Sequence, residues 1–245
     1  MATLMTRYFK SLYFRAHDTS YRFAVSEIAA ALHAGGRCLD CGAHKGEVYE
    51  AITQHIPLPP ERYLGLDWSA ENVKAAATKG LHVIRGDLNA NLPYREGQFR
   101  CVFALSVLEH LLYGCHFIRE AYRVLEPGGC LVLLTPNVST LFNIFLLVLG
   151  KMPSSGPYPD SAALMQEQWP IKIIDFEADV ESDVPMYRHL VVFSYRVLPR
   201  FLHMTGFPTV RGRAFGLYPF PNLVQPLLEK LDPYHCHQMV FVAQK

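Results

Sequence analysis

Short apolar runs recur through the first part of the chain, and each is closed by a polar residue or by a glycine or proline turn. Five of them, at 37–40, 62–67, 81–87, 99–107 and 130–136, are nearly continuous in apolar character. Continuous apolarity over so few residues indicates strands that are covered on both faces, as in a parallel sheet.

The segments between these runs place apolar residues at helical spacing. They predict helices at 21–34, 46–55 and 70–79, with Ser69 as the N-cap of the third, and a further helix that ends before Pro127. Strands that alternate with helices across short turns predict an α/β fold with right-handed crossovers.

The pattern changes after residue 137. It predicts an apolar helix at 138–150, an irregular stretch after it, a helix at 194–205 and a final strand at 238–244. We expect a single domain with four parts: an N-terminal helical cap at 1–35, a cofactor-binding core at 36–137, a lid or substrate segment at 138–193, and C-terminal helices and strands at 194–245 that complete the sheet.

Charge and composition narrow the class of protein. The 245 residues include 23 Lys or Arg and 22 Asp or Glu, which gives a net charge of +1 without a concentrated basic run. A dedicated nucleic-acid binder carries a basic patch, so no nucleic-acid partner is expected. The apolar runs are far shorter than the roughly 20 residues that span a bilayer, and 1–16 lacks a signal-peptide pattern, so a cytoplasmic protein is expected.

The cysteines give little support to metal or redox chemistry. Cys38 and Cys41 form a C-x-x-C motif, but no second pair follows at zinc-site spacing. The adjacent His235, Cys236 and His237 lack helical spacing. No metal is therefore expected.

Four polar residues lie at the ends of successive predicted strands: Asp40, Asp67, Asp87 and Ser106. Ligands of parallel sheets bind beyond the carboxyl ends of the strands, so these side chains are expected to converge. The loop L-D-C-G-A-H-K-G at 39–46 lacks both the G-x-G-x-x-G of a dinucleotide loop and the G-K-[ST] of a P-loop. Its acid favours a ligand with cationic or hydroxyl-rich parts.

Four segments occur in a recognisable order: L-D-C-G-A-H-K-G, L-G-L-D-W-S, the stretch 85–111 that ends in V-L-E-H-L, and E-A-Y-R-V-L-E-P-G-G-C-L-V-L-L-T-P-N at 120–137. Together they resemble the class I S-adenosylmethionine-dependent methyltransferases, in particular the small-molecule branch with a V-L-E-H motif. The resemblance covers about 36–137. It implies a Rossmann-like, doubly wound sheet of seven strands, mostly parallel with an antiparallel C-terminal strand, plus a helical or irregular lid.

The resemblance implies S-adenosylmethionine as the cofactor and assigns the loop to its methionine part. Asp40 would lie near the ammonium group, and Gly42, Ala43, His44 and Gly46 would wrap the moiety. His44 replaces a commoner glycine. Histidine enters the left-handed backbone region more readily than branched residues do, so the turn is expected to survive.

The same resemblance assigns the later strand ends to the nucleoside. Asp67 would accept both ribose hydroxyls, and Trp68 would form an apolar wall beside the adenine. Asp87 would bond the adenine amino group, and the backbone of Leu88 would meet a ring nitrogen. Ser106 lies where the family lines the methionine and the reaction centre.

An oxygen nucleophile must also lose its proton, and histidine titrates in the useful range. The two candidate bases are His110, in V-L-E-H, and His189, in the segment 187–207 that resembles branches thought to act on glycans, lipid-linked sugars or quinone-type compounds. A structural role for His110 remains an alternative. Asn137 and Tyr187 are candidate substrate contacts.

The apolar segment L-F-N-I-F-L-L-V-L-G at 141–150 has two interpretations. It is either a lid helix packed on the core, or a surface that contacts a lipid-linked acceptor or a membrane.

The sequence therefore predicts an enzyme that transfers a methyl group from S-adenosylmethionine to a small molecule, on an oxygen of a glycan, lipid-linked or secondary-metabolite compound. One alternative is a regulatory protein that binds the cofactor without turnover, suggested by His44 and by the lack of a certain base. Another is a methyltransferase acting on RNA or protein, which the near-neutral charge and the absence of an N-P-P-Y motif disfavour.

Overall fold

The computed structural model describes residues 4–159, 161, 164 and 188–245. Within those residues, seven strands form one sheet. They are β1 (Cys38–Cys41), β2 (Tyr63–Asp67), β3 (His82–Arg85), β4 (Phe99–Leu105), β5 (Leu125–Pro136), β6 (Thr209–Phe215) and β7 (Gln238–Gln244).

The strand order is β3-β2-β1-β4-β5-β7-β6. Strands β1 to β5 pair in parallel, whereas β7 runs antiparallel to both β5 and β6. The chain order reverses at β1, so the ends of β1 and β4 border the crevice where ligands of doubly wound sheets bind. The predicted mixed sheet with an antiparallel C-terminal strand is confirmed.

The helices of the described residues are α1 (Leu4–Leu32), α2 (Glu47–Thr53), α3 (Ala70–Thr78), α4 (Gly114–Val124), α5 (Leu141–Val148), α6 (Val197–Thr205) and α7 (Gln225–Leu231). Helix α1 is much longer than the predicted 21–34. Its buried stripe advances in steps of four through Leu12, Ala16, Ser20 and Ala24. Small residues let the helix lie close to the sheet, but they give a weak periodic signal. None of the described helices has the length and apolarity to cross a bilayer.

Alternation along the strands divides the core between the two sheet faces. Phe103 and Val132 pack on the face that also contacts Leu12 and Ile28 of α1. Their strand neighbours, such as Val102 and Leu131, pack on the opposite face with residues of α4 and α6. Asp40 pairs with Gly65, so it shares a sheet face with Asp67 but lies two positions further from the carboxyl end of the strands. The distance from that end therefore decides which of the two carboxylates reaches the crevice.

Two parts of the sheet differ from the sequence prediction. The seventh strand was expected within 194–245, but β6 could not be located there, because Arg211, Gly212 and Arg213 interrupt its apolar pattern and it is an edge strand with one neighbour. Strand β5 begins at Leu125 rather than 130, because Leu125 pairs with Phe99 of β4 before an irregularity in the register. Within that irregular part, the backbone N–H of Gly128 donates to the carbonyl oxygen of Lys245 at 2.9 Å. The proline and glycines expected to end a helix thus lie inside a paired strand.

Candidate functional site

A cavity of about 390 Å³ lies over the carboxyl ends of β1, β2 and β4. Seven of the residues assigned to the cofactor line it, together with the candidate base His110: Gly42, His44, Asp67, Trp68, Asp87, Leu88 and Ser106. Sequence reasoning missed the other lining residues: Asn72, Gly86, Asn89, Leu105, Val107 and Leu111. Asn72 was predictable in part, because it lies in the first turn of the helix that Ser69 caps.

The Asp67 carboxylate organises the floor of this cavity. One oxygen accepts the backbone N–H of His44 at 2.7 Å, and the other accepts the N–H of Ser69 at 2.8 Å and the side-chain amide of Asn72 at 3.1 Å. A carboxylate offers about four acceptor positions, so roughly one remains for a hydroxyl donor. Asp67 is nearly buried, which strengthens each of these bonds.

The loop after β1 adopts the left-handed backbone that a glycine normally supplies. His44 has φ 46°, and its ring Nδ1 lies 3.0 Å from a carboxylate oxygen of Glu47 on the exposed side of the loop. Gly42 has φ 89°, and a Cβ there would meet Cγ2 of Val107 at 2.4 Å. The turn is therefore kept although His44 replaces the commoner glycine, whereas a side chain at Gly42 would require Val107 to move.

The end of the cavity at Trp68 and Asp87 is more open. Oδ1 of Asp87 accepts from the backbone N–H and the side-chain amide of Asn89, at 2.8 and 3.1 Å. Trp68 is about half exposed, and the Arg85 guanidinium lies 5.9 Å from its ring centroid. Both side chains are accessible to a planar polar ligand.

Asp40, Ala43 and Gly46 are not among the cavity-lining residues. Alternation places Asp40 on the face of β1 shared with Cys38, where it is buried and accepts the Tyr63 hydroxyl. Burial raises the pKa of the Asp40 carboxyl to about 7, although the bond from Tyr63 opposes the shift. Of the three carboxylates expected to converge on one ligand, Asp67 and Asp87 line the cavity, whereas Asp40 does not.

The turn after β4 meets residues 188–193 at Glu109. Its backbone carbonyl oxygen accepts the N–H of Leu190 at 2.7 Å, and its buried carboxylate accepts the Thr135 hydroxyl at 2.9 Å. Burial raises the pKa of Glu109 to about 7, against the opposing effect of its hydrogen bonds. This contact brings residues 188–193 against the turn Leu108–His110.

The two candidate bases are in contact, with ring centroids 4.9 Å apart. Nδ1 of His110 lies 3.1 Å from the Arg188 carbonyl oxygen, and Nδ1 of His189 lies 2.7 Å from that of Ser155. A carbonyl can only accept, so each Nδ1 carries the proton and each Nε2 keeps a lone pair. Burial lowers the pKa of His110 and lowers that of His189 to about 4, so both imidazoles are neutral near pH 7.

Glu109, His110 and His189 each place one potential ligand atom within 4.8 Å of the others. They form the group among the described residues that meets this criterion for a metal. Metal–ligand bonds of about 2.1 Å require ligand atoms closer together than 4.8 Å, so binding an ion would draw the side chains inward.

Asn137 has a structural role rather than the predicted contact with substrate. Its side chain is fully buried, and its amide donates to the carbonyl oxygens of Tyr234 and Cys236, both at 2.8 Å. Its oxygen accepts from Ser139 and Tyr195. No polar group of Asn137 is left to bind a substrate. The other predicted contact, Tyr187, lies outside the described residues.

A seven-stranded sheet with one reversed strand, bearing a cavity lined by an acid at the end of β2, defines a Rossmann-like nucleoside-binding class of protein. Residues 39–133 match a family model described as a methyltransferase domain. This part of the chain is therefore a methyltransferase domain of the class I S-adenosylmethionine-dependent superfamily, in which S-adenosylmethionine is the cosubstrate.

Similar proteins cover the core of the chain. The chain is 29% identical over 126 residues to a ubiquinone biosynthesis O-methyltransferase of Psychrobacter arcticus, covering 47% of this chain and 46% of that protein. It is 33% identical over 104 residues to a phthiotriol/phenolphthiotriol dimycocerosates methyltransferase of Mycobacterium ulcerans, covering 40% and 36%. The chain thus spans less than half the length of these curated relatives.

The fold likeness extends further than the sequence likeness. A solved S-adenosylmethionine-dependent methyltransferase from Mesorhizobium loti aligns with a TM-score of 0.55 and 18% identity, covering 86% of this chain and 91% of that one. At this identity the likeness supports the fold alone.

The buried Asp40 carboxyl predicts a stability that depends on pH. Its folded pKa of about 7 exceeds the unfolded value near 3.8, so its contribution is complete at acid pH and is lost as the pH rises towards 7. Between about pH 5 and about pH 8, we expect the unfolding free energy of Asp40→Asn to decrease by about 2–3 kcal/mol less than that of the wild type. Urea unfolding of the wild type and the variant at both pH values measures this difference in unfolding free energy.

Asp18→Asn is the matched control, because Asp18 is an exposed carboxylate paired with Arg22. An Asp40→Asn variant with the same pH slope as wild type would show that Asp40 does not titrate in this range.

Proposed function

We propose that the protein transfers a methyl group from S-adenosylmethionine to an oxygen of a small-molecule acceptor. The observation that carries the proposal is the single cavity that joins Asp67, at the end of β2, to His110, beside the lid. The residue proposed to bind the methyl donor and a neutral candidate base thus line the same cavity.

The donor half of the proposal rests on Asp67 and Gly42. The remaining acceptor position of Asp67 suits a ribose hydroxyl, and Gly42 permits a ligand to approach the backbone closely. Asp87 and Trp68 offer a hydrogen-bond acceptor and an apolar wall for the adenine. When bound, the sulfonium group of the donor supplies the activated methyl, and the protein's task is to align the nucleophile with it.

The acceptor half rests on the paired histidines. His110 borders the cavity, and its Nε2 is free to accept a proton from an acceptor hydroxyl. His189 supports this ring by edge contact and is itself stacked on Tyr158, with centroids 4.6 Å apart. Transfer to oxygen is further supported by the similarity of the chain to an O-methyltransferase of ubiquinone biosynthesis. We include glycans, lipid-linked compounds and secondary metabolites among the acceptors, and propose a cytoplasmic location.

Cofactor binding without turnover remains a separate hypothesis. Labelled methyl groups from S-adenosylmethionine, offered with fractionated metabolites, separate the hypotheses. Label in a small molecule supports the proposal, and its bond to oxygen identifies the reaction. Label only in RNA or protein replaces the proposed acceptor class, and binding without any labelled product supports the regulatory alternative.

Replacing Asp67 tests the donor site. We expect Asp67→Asn to raise the Kd for S-adenosylmethionine about 10–100-fold, because it removes a charge-assisted bond to the donor and weakens the loop. Isothermal titration calorimetry measures the change, and the melting temperature verifies folding.

The remote carboxylate variant Asp18→Asn serves as the control and should retain the wild-type Kd. A folded Asp67→Asn protein with unchanged affinity would contradict the assigned ribose contact.

Replacing His110 tests the base. On an identified acceptor, we expect His110→Gln to lower kcat about 10²–10⁴-fold while the Kd for S-adenosylmethionine changes little. Only the neutral ring accepts a proton. Since burial lowers the pKa of His110, the wild-type rate should be level above about pH 7 and fall at more acid pH.

Two outcomes would assign the proton transfer differently. A rate that rises with pH through about 7 would point to Glu109, whose pKa lies there. Loss of activity in a chelator, restored by Zn²⁺ or Mg²⁺, would replace the direct base with an ion at Glu109, His110 and His189.

A further inference from the structure

Three segments that are distant in sequence adjoin on one side of the molecule. The rings of Phe9 in α1 and Phe142 in α5 lie 5.6 Å apart. The Tyr8 hydroxyl donates to the carbonyl oxygen of Pro219 at 2.7 Å, just before α7. The side-chain amide of Asn222 donates to the hydroxyl of Ser11 at 2.9 Å. The first part of α1, helix α5 and helix α7 are therefore neighbours.

These segments expose large apolar side chains to an unusual degree. Phe145 and Val148 of α5 are 58% and 80% exposed, and Leu4 of α1 and Leu223 before α7 reach 85% and 92%. We name the set the three-helix apolar face: Leu4, Met5, Tyr8, Ile144, Phe145, Leu147, Val148, Leu149, Leu223, Leu227 and Leu231. Exposed apolar surface of this extent marks an interaction site.

Helix α5 is held by polar contacts, which explains why its apolar residues remain outside. Asn143 is buried, and its amide donates to the Val138 carbonyl oxygen at 2.8 Å and to the Ser155 hydroxyl. Its oxygen accepts the Ser154 N–H at 2.8 Å. Of the helix residues, Leu146 joins Asn143 in the buried layer. Of the two interpretations of 141–150, packing on the core accounts for Leu141, Phe142 and Leu146. The remaining apolar side chains are exposed and are available for the second interpretation, contact with a lipid: Ile144, Phe145, Leu147, Val148 and Leu149.

Charge around the face has one sign. The three sequence segments 1–17, 138–159 and 216–228 contain no Asp or Glu, although these acids make up 22 of the 245 residues. They contain Arg7, Lys10, Arg15 and Lys151. The next acid of α7, Glu229, is buried and paired with Arg15 at 2.7 Å.

Two further described acids near these segments are also paired. Asp18 bonds Arg22, and Asp232 lies 2.7 Å from Nδ1 of His235. The acids of residues 160–187 lie outside the described part of the chain. Because Glu229 neutralises Arg15, the remaining cations of the three segments are Arg7, Lys10 and Lys151. The described face is therefore apolar and accompanied by these three cations, which complements a surface of acyl chains under anionic headgroups.

We propose that the three-helix apolar face docks the protein on an anionic lipid bilayer. Aliphatic and aromatic side chains enter the boundary between headgroups and acyl chains, and the three accompanying cations meet the headgroup charge. This peripheral contact requires no membrane-spanning helix.

The docking face is joined to the candidate base by a short chain of contacts. The amide of Asn143 donates to the Ser155 hydroxyl, and the Ser155 carbonyl oxygen accepts Nδ1–H of His189 at 2.7 Å. Ser155 is thus the one residue that connects α5 of the docking face to His189 on the acceptor side of the site. Resting on the proposed function, this placement assigns the acceptor to the lipid or lipid-linked class, drawn from the bilayer on which the protein is docked.

Vesicle sedimentation with the full chain tests the docking. We expect the wild type to bind vesicles of phosphatidylcholine with about 30 mol% phosphatidylglycerol, and to bind pure phosphatidylcholine much more weakly. Binding to the anionic vesicles should fall at high salt. The double variant Phe145→Asp/Val148→Asp should reduce the partition to anionic vesicles at least about tenfold, since it replaces apolar contacts by like charge.

The matched control is Val197→Asp/Met204→Asp. These residues are also exposed and apolar, but they lie on α6, which packs with α4 on the sheet face opposite α1. The control should bind vesicles as the wild type does. Calorimetric binding of S-adenosylmethionine to each variant verifies that the site is folded, so that failure of the proposed function is detected separately from failure of docking.

Absence of wild-type binding to anionic vesicles overturns the proposal, as does equal loss in both double variants. Sedimentation velocity without vesicles provides another check. If the wild type self-associates, the face variant is monomeric and neither binds vesicles, the face is an interface between two copies of the chain instead.

Discussion

The carboxylate of Asp67 is the interaction on which the site depends. It stands at the end of β2 and accepts hydrogen bonds from the loop after β1, from the residue before α3 and from the first turn of α3. Bonds of this charge-assisted kind contribute about 1.5–3 kcal/mol each in favourable settings. The loop and the helix start are consequently fixed relative to each other without a ligand, so a ligand that bonds Asp67 meets a preorganised cavity. The left-handed backbone of His44 is tolerable because its N–H is one of these donors.

Most of the sheet and the rim of the cavity could be predicted from the sequence, because strand ends, turns and helix caps are local signals. Asp40 shows where local signals stop. Its position near the end of β1 was evident, but the burial of its carboxylate depends on Tyr63, which donates to it from the neighbouring strand. Strand β6 could not be located from the sequence for a similar reason. An edge strand needs apolar residues on one face only, and Arg211 and Arg213 occupy other positions of β6.

Buried polar residues were the hardest to interpret from sequence. Asn137 follows the last parallel strand and could have served a substrate, yet its partners Tyr234 and Cys236 are nearly a hundred residues away in the chain. Such an amide fixes the end of β5 to the segment before β7 because every polar atom must be satisfied once it is buried. Glu109 has a related role, with its carboxylate held by Thr135 and its backbone carbonyl joined to the lid.

Buried polar contacts also hold helix α5, although most of its side chains are apolar. A helix that turned Phe145, Leu147 and Val148 inward would gain burial, but Asn143 would then lose the carbonyl and hydroxyl partners that satisfy it. The polar contacts therefore determine which side of α5 faces the solvent. Ser155 accepts Asn143 through its hydroxyl and His189 through its carbonyl oxygen, so one residue fixes both α5 and the ring beside His110. The orientation of the apolar helix and the geometry of the candidate base are thus two results of one hydrogen-bonded cluster.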